Sequence, residues 1–106
     1  MELKDTIKLM NSDDYKERFK AEYYQAKIRY EKLHKIIIKS QAGTLDFELS
    51  CPLEILEKQA CYMGNYLKTL EIRAAIEKIE LWWYRIKKNK KYEEGNRYEN
   101  FGSTSR

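Results

Sequence analysis

The sequence has few of the residues that break helices, and its β-branched residues are mostly Ile at helical spacing. Among its 106 residues there is no Val, a single Pro and only four Gly, while 36% of the residues are charged. Sandwiches and barrels need many turns and many β-branched residues, so this composition argues against them and is typical of a long-helix protein. A chain of this length forms at most one domain with a thin core, which leaves little room for a deep pocket.

Residues for metal, redox or nucleophilic chemistry are also scarce. Cys51 and Cys61 are the only cysteines, His34 is the only histidine, and no CxxC pair occurs. We interpret the cysteines as reduced cytosolic thiols and expect neither a metal site nor a cofactor. No Ser, Cys or Lys stands in a recognisable nucleophile or phosphate-loop motif, and the carboxylates follow helix-surface spacing beside lysines. The sequence therefore predicts a protein that is not an enzyme.

Long apolar runs are missing as well. No run approaches the roughly 20 residues of a membrane span, and the opening residues MELKDTIKLMN lack the apolar centre of a secretory signal. We therefore expect a cytoplasmic protein without a membrane partner.

The basic residues are concentrated in one segment. The formal charge is +4, yet Arg85, Lys87, Lys88, Lys90 and Lys91 form a run without an acid, so the rest of the chain is close to neutral. A uniformly basic nucleic-acid binder would look different. The segment WWYRIKKNKKY could bind single-stranded nucleic acid, a membrane surface or an acidic protein. It could equally bind nothing, because cations at a helix end are favoured by the helix dipole alone.

Apolar residues at helical spacing predict two helices in the first half of the chain. A short amphipathic helix contains Leu3, Ile7 and Met10. After it, Ser12 or Asp13 can cap a long helix that Gly43 ends. The apolar seam of this long helix consists of Tyr15, Phe19, Tyr23, Ala26, Tyr30, Leu33 and Ile37.

A second long helix is predicted after the connector GTLDFELSCP. We expect the connector to be an extended loop whose apolar residues cover the end of the hairpin, because a lone strand would have no partner. Ser50 or Cys51 would cap the helix, Pro52 would open it, and it would run to about Lys91 with Gly64 as its weak point. Its seam consists of Leu53, Leu56, Ala60, Met63, Leu67, Leu70 and Ala74.

The short connector predicts that the two long helices are antiparallel, with residue 42 facing residue 52. The predicted fold is all-α: a short N-terminal helix plus a long antiparallel helical hairpin, assembled as an oligomer. Residues 1–92 would form the hairpin domain and residues 93–106 a flexible C-terminal tail.

A second apolar stripe predicts assembly. It lies on nearly the opposite side of the second long helix, and beyond Leu81 that helix would outrun its partner and expose two tryptophans. One seam would close the hairpin and the other would join chains in a homo-oligomer. The alternative is a monomer whose three helices wrap both faces. The predicted interface consists of Ile72, Ile76, Ile79, Trp83 and Ile86.

A polar strip beside the hairpin seam is the candidate site. Gln59, Tyr66 and Arg73 recur every seven residues, and the antiparallel register brings Arg73 near Glu22 and Phe19. One interpretation is a Glu22–Arg73 salt bridge that locks the register. The other is a ligand site in which arginines hold phosphate and tyrosines stack on a base. The predicted ligand-binding residues are Arg18, Tyr23, Tyr30, Gln59, Tyr66 and Arg73.

The segments DYKERFKAEYYQAKIRYEKLHKIIIK and CPLEILEKQACYMGNYLKTLEIR resemble a family of small helical-hairpin proteins from phages of gut Firmicutes and crAss-like phages. The resemblance covers residues 13–81 and depends on YKERF in the first long helix. In the second long helix it depends on Leu56, Gln59, Met63, Tyr66, Leu70 and Arg73.

In size, hairpin and aromatic–arginine content the chain is more distantly similar to phage anti-CBASS and anti-Thoeris sponges, which are helical oligomers. This similarity implies a counter-defence protein in the cytoplasm of an infected bacterial host. It would sequester a cyclic or ADP-ribose-type immune nucleotide at chain boundaries. The alternatives are a protein-binding inhibitor of a host defence enzyme, such as an anti-CRISPR, and a structural or regulatory phage protein.

Overall fold

The computed structural model describes residues 1–81, and this part of the chain is all-α. A 3₁₀ turn at Leu3–Thr6 continues into α1, Ile7–Met10. Helix α2 is Tyr15–Ala42 and helix α3 is Leu53–Glu77. Helices α2 and α3 pack together along their length, α1 packs on α2, and the described residues contain no strand. The predicted short N-terminal helix and long helical hairpin are confirmed.

The antiparallel register is visible in side-chain pairs along the hairpin. The Tyr23 hydroxyl donates to Glu71 Oε2 at 2.6 Å, and Gln41 Nε2 donates to Glu57 Oε2 at 2.7 Å near the connector. Between them the Tyr30 ring lies against Gly64. These pairs agree with the register that the short connector predicts.

The ends of α2 follow from local chemistry. Asp14 is the N-cap and its carboxylate accepts from the Lys16 N–H at 3.0 Å, so the predicted cap at Ser12 or Asp13 is wrong by one residue or more. The Ser12 hydroxyl instead accepts from the Asp14 N–H at 2.9 Å and so orders the capping residue. Gly43 has φ 76° in the left-handed region and ends the helix, as predicted.

The connector and the start of α3 differ from the prediction in detail. Pro52 is itself the N-cap and no side chain caps the helix, so the predicted Ser50 or Cys51 cap is wrong. The connector contains no strand, as expected. Phe47 is half-exposed, however, so it does not cover the hairpin end.

The core lies at the end of the hairpin away from the connector. The seam residues near the connector are mostly half-buried, so the tight packing does not extend along the whole seam. Each fully buried apolar side chain contributes about 1.5–3 kcal/mol to folding. The core consists of Phe19, Tyr23, Tyr24, Leu67, Leu70, Ala74, Ile79 and Leu81.

The N-terminal segment packs through a different face from the predicted one. Thr6 is fully buried, and its hydroxyl donates to the Leu3 carbonyl at 2.7 Å and accepts from Gln25 at 2.8 Å. Leu9 packs against the core, whereas Ile7 and Met10 are about half-exposed. Thr6 and Leu9, three residues apart, therefore face inward in place of Ile7 and Met10.

Helix α3 ends earlier than predicted. Lys78 has φ 60° in the left-handed region, and the Ile79 N–H donates back to the Ala74 carbonyl at 2.8 Å. The prediction of a helix to about Lys91 is therefore wrong. A left-handed residue costs about 1–2 kcal/mol, but the turn buries Ile79 and Leu81, which contribute about 1.5–3 kcal/mol each.

This turn also divides the predicted interface stripe. Ile72 and Ile76 are exposed on α3, but Ile79 has left the helix and lies in the core, so the prediction that Ile79 continues their stripe is wrong. Trp83 and Ile86 lie outside the described residues, as do the basic run and the predicted tail at residues 93–106.

Substituting alanine at Gly43 and Gly64 is expected to shift stability in opposite directions. Gly43 occupies the left-handed region, so Gly43→Ala should destabilise the fold by about 1 kcal/mol. Gly64 lies within α3, where a Cβ would meet the Tyr30 ring at an ordinary 3.7 Å, so Gly64→Ala should stabilise by about 0.5–1 kcal/mol. Thermal melts of both variants check this, and a loss of stability in Gly64→Ala would contradict the spacing between Gly64 and the Tyr30 ring.

Candidate ligand-binding edge of the hairpin

One side of the α2–α3 seam carries a row of polar pairs, which we call the polar edge. It consists of Tyr15 and Glu22 from α2 and of Tyr66, Arg73 and Glu77 from α3. Tyr15 and Glu22 are seven residues apart on α2, and Tyr66 and Arg73 are seven residues apart on α3. This spacing keeps the residues that pair across the seam on one flank of the two helices.

Arg73 is the most connected residue of the polar edge. Its Nε donates to Glu77 Oε2 at 3.1 Å, and one terminal nitrogen donates to the Tyr15 hydroxyl at 2.8 Å. The guanidinium carbon also lies 4.8 Å from the centroid of the Phe19 ring, a cation–π contact. The Tyr15 hydroxyl donates in turn to Glu77 and closes the cluster.

These contacts correct one prediction. Arg73 lies at Phe19, as the register predicts, but its salt-bridge partner is Glu77 on its own helix and not Glu22. The predicted Glu22–Arg73 salt bridge is wrong, and Glu22 instead accepts from the Tyr66 hydroxyl. The spacing of Arg73 and Glu77, four residues apart, is the sequence signal that identifies this pair.

The hydrogen bonds of the cluster change its pKa values in consistent directions. The bond from Tyr15 is the main cause that lowers the pKa of Glu77, and the bond to Glu77 is the main cause that raises the pKa of Tyr15. The bond to Glu77 likewise raises the pKa of Arg73. The Arg73–Glu77 pair is therefore charged, and Tyr15 neutral, around neutral pH.

Tyr66 presents an accessible ring with a fixed hydroxyl. Its side chain is 43% exposed, and the hydroxyl donates to Glu22 across the seam. Tyr62, one turn earlier on α3, is 65% exposed. Two tyrosine rings therefore stand at the surface beside the polar edge.

The other predicted ligand-binding residues take no part in the hydrogen bonds of the polar edge. Tyr23 is fully buried, and burial together with its hydroxyl bond to Glu71 raises its pKa, so it supports the core. Arg18 donates to the Ser12 carbonyl at 2.8 Å at the start of α2. Tyr30 stacks on His34 with ring centroids 5.8 Å apart, and Gln59 is exposed on α3. The structure thus brings Tyr66 and Arg73 to one edge and places Tyr23 away from it.

Tyr30 also belongs to an open groove of about 380 Å³ along α2. No pattern in the sequence predicted this groove. Its lining is mixed in charge and polarity, and it consists of Tyr30, Glu31, His34, Lys35, Ile38 and Lys39.

Residues 1–81 show neither a metal-binding cluster nor a membrane-spanning helix. In this range no group of three or more His, Cys, Asp or Glu side chains could hold a metal ion. None of the helices in the same range is both long enough and apolar enough to cross a membrane.

Comparison with known proteins identifies a family. No curated protein and no solved structure matches the chain. A family model described as Sequestin matches residues 13–76, which span α2, the connector and nearly all of α3. The matched segment includes four of the five residues of the polar edge, all but Glu77. The family name is compatible with sequestration and suggests binding rather than catalysis. Because more than half of the chain is matched, the protein belongs to the Sequestin family.

Proposed function

We propose that this protein binds and holds a signalling nucleotide of a bacterial immune system, without catalysis. It would act as a phage counter-defence protein, as a homo-oligomer in the cytoplasm of the infected host. Membership of the Sequestin family supports the sequestering role. The observation that carries the nucleotide proposal is the polar edge, where exposed tyrosine rings stand beside an arginine.

The tyrosines suit recognition of a base. The Tyr66 hydroxyl is tied to Glu22, so the ring is oriented before a ligand arrives and less conformational entropy is lost on binding. Stacking of a base on an aromatic ring contributes about 1–3 kcal/mol and tolerates different bases. Tyr62 supplies a second exposed ring on the same helix.

Arg73 suits recognition of a phosphate. Two of the five N–H groups of its guanidinium are used by Glu77 and Tyr15, and its side chain is 43% exposed. The remaining donors lie on the terminal nitrogens, which form the planar fork that matches phosphate oxygens. The two internal bonds hold this fork in place.

Assembly is supported by the apolar residues next to the polar edge. Ile72 and Ile76 are exposed on α3, and a second copy of the chain would remove them from water. The same residues favour the second candidate function, a protein-binding inhibitor of a host defence enzyme, because a host protein could cover them instead.

Native mass spectrometry of protein purified from cells with an active nucleotide-signalling defence system tests the proposal. We expect an oligomer that carries a retained nucleotide. Calorimetric titration with cyclic dinucleotides and cyclic ADP-ribose isomers should reproduce the binding. A monomer that binds none of these compounds would reject nucleotide sequestration and favour the protein-inhibitor alternative.

Two variants connect binding to the polar edge. Tyr66→Ala should weaken nucleotide binding by about 1–3 kcal/mol through loss of stacking. Arg73→Lys keeps the charge but loses the fork, so it should weaken binding markedly. The matched control is Phe47→Ala, which removes an exposed aromatic ring from the connector and should bind like the wild type. Equal affinity of all three variants would contradict a role for the polar edge.

A further inference from the structure

The pairs of the polar edge form a regular series. Arg73 pairs with Tyr15, and Tyr66 pairs with Glu22. From the first pair to the second, α3 steps back by seven residues while α2 steps forward by seven. The next step in the same register places Gln59 opposite Arg29.

This third position differs from the other two. Arg29 and Gln59 are both exposed, and neither makes a hydrogen bond or ion pair with any residue in the described range. Arg73, by contrast, has Glu77 four residues along its own helix. The positions three and four residues from Arg29 on α2 are Gln25, Ala26, Lys32 and Leu33, none of which is acidic.

Aromatic rings flank this position on α3. Tyr62 follows Gln59 by three residues and Tyr66 follows it by seven, which are the spacings that place side chains on one helix face. An arginine that has no partner within residues 1–81, an amide donor and two exposed rings therefore share one stretch of the edge. The guanidinium fork and the amide suit an anion with several oxygens, and the rings suit a flat organic group.

We propose that Arg29 and Gln59 form an anion subsite that takes a phosphate group of the ligand, with Tyr62 and Tyr66 beside it. This inference rests on the proposed function for the identity of the ligand as a nucleotide. Arg29 was not among the ligand-binding residues predicted from the sequence. The subsite places the phosphate contact one heptad from Tyr66, on the side away from Arg73.

The test compares Arg29→Gln with Lys68→Gln, which removes one exposed positive charge from the other flank of α3. Both variants and the wild type are titrated with cyclic dinucleotides, cyclic ADP-ribose and inorganic pyrophosphate. We expect Arg29→Gln to weaken binding about tenfold or more and Lys68→Gln to weaken it less than about twofold. Arg29→Lys should fall between wild type and Arg29→Gln, because the charge remains without the fork.

The outcomes separate the two proposals. Nucleotide binding that is equal in wild type and Arg29→Gln would overturn the subsite and leave the proposed function in place. Arg29-dependent binding of pyrophosphate without binding of any nucleotide would support the subsite and reject the proposed function. No binding of either probe would overturn both. Neither Arg29 nor Lys68 makes a side-chain bond to another residue between positions 1 and 81, so all variants should melt like the wild type.

Discussion

Ile79→Ala is expected to lower the free energy of unfolding by about 3 kcal/mol, whereas Ile76→Ala should lower it by less than about 0.5 kcal/mol. The two residues are chemically identical and three positions apart. Ile79 is 5% exposed and Ile76 is 74% exposed because the chain leaves the helix at Lys78. Truncating a buried Ile removes its burial and leaves a cavity, while truncating an exposed one does neither.

Urea denaturation of the two variants measures this difference. A straight continuation of α3 would place both isoleucines on one apolar stripe, and the two truncations would then have similar effects. Equal losses would therefore contradict the turn at Lys78. If Ile76 forms part of an interface between copies, its truncation should instead lower the affinity of assembly, which sedimentation at several concentrations detects separately.

Tyr23→Phe is expected to cost about 1–2 kcal/mol at neutral pH, because it removes the buried hydroxyl that donates to Glu71 at 2.6 Å. The Tyr23→Phe variant should also lose less stability than the wild type when the pH is raised into the alkaline range. Burial and the bond to Glu71 raise the pKa of Tyr23 above its ordinary 10.0, so the folded protein holds the phenol proton more tightly than the unfolded chain does.

The direction of this pH effect follows from proton linkage. The stability that Tyr23 contributes is complete below pH 10 and is lost as the pH rises further, by at most about 1.4 kcal/mol per pH unit. Denaturation of wild type and Tyr23→Phe at about pH 9 and about pH 11 measures the difference. The wild type should lose about 1.4 kcal/mol more than the variant. Equal losses would show that the Tyr23 hydroxyl does not remain protonated in the fold.

The hairpin could be predicted because its information is local and periodic. Apolar residues every three or four positions define the facing sides of α2 and α3, and Gly43 marks the end of α2. The short connector then sets the register, which the pair Tyr23–Glu71 confirms. The same periodicity also placed Tyr66 and Arg73, two residues of the candidate site, on one edge of the hairpin.

The partners of these side chains could not be chosen from spacing alone. Arg73 could reach either Glu22 across the seam or Glu77 on its own helix, and the choice depends on whether Tyr66 already occupies Glu22. The same holds for Arg29: that it has no partner among the first 81 residues becomes visible only when the other pairs are assigned.

The sequence by itself determined the all-α class, the two seams of the hairpin, the end of α2 at Gly43 and the seven-residue spacing of the polar edge. Only the tertiary structure decided where α3 ends. The pattern of Ile72, Ile76 and Ile79 is compatible with a longer helix, and no Gly or Pro interrupts it. The helix stops at Lys78 because α2 begins at Tyr15 and offers no further seam there. Turning the chain back over the core buries Ile79 and Leu81, and this gain exceeds the cost of one left-handed residue.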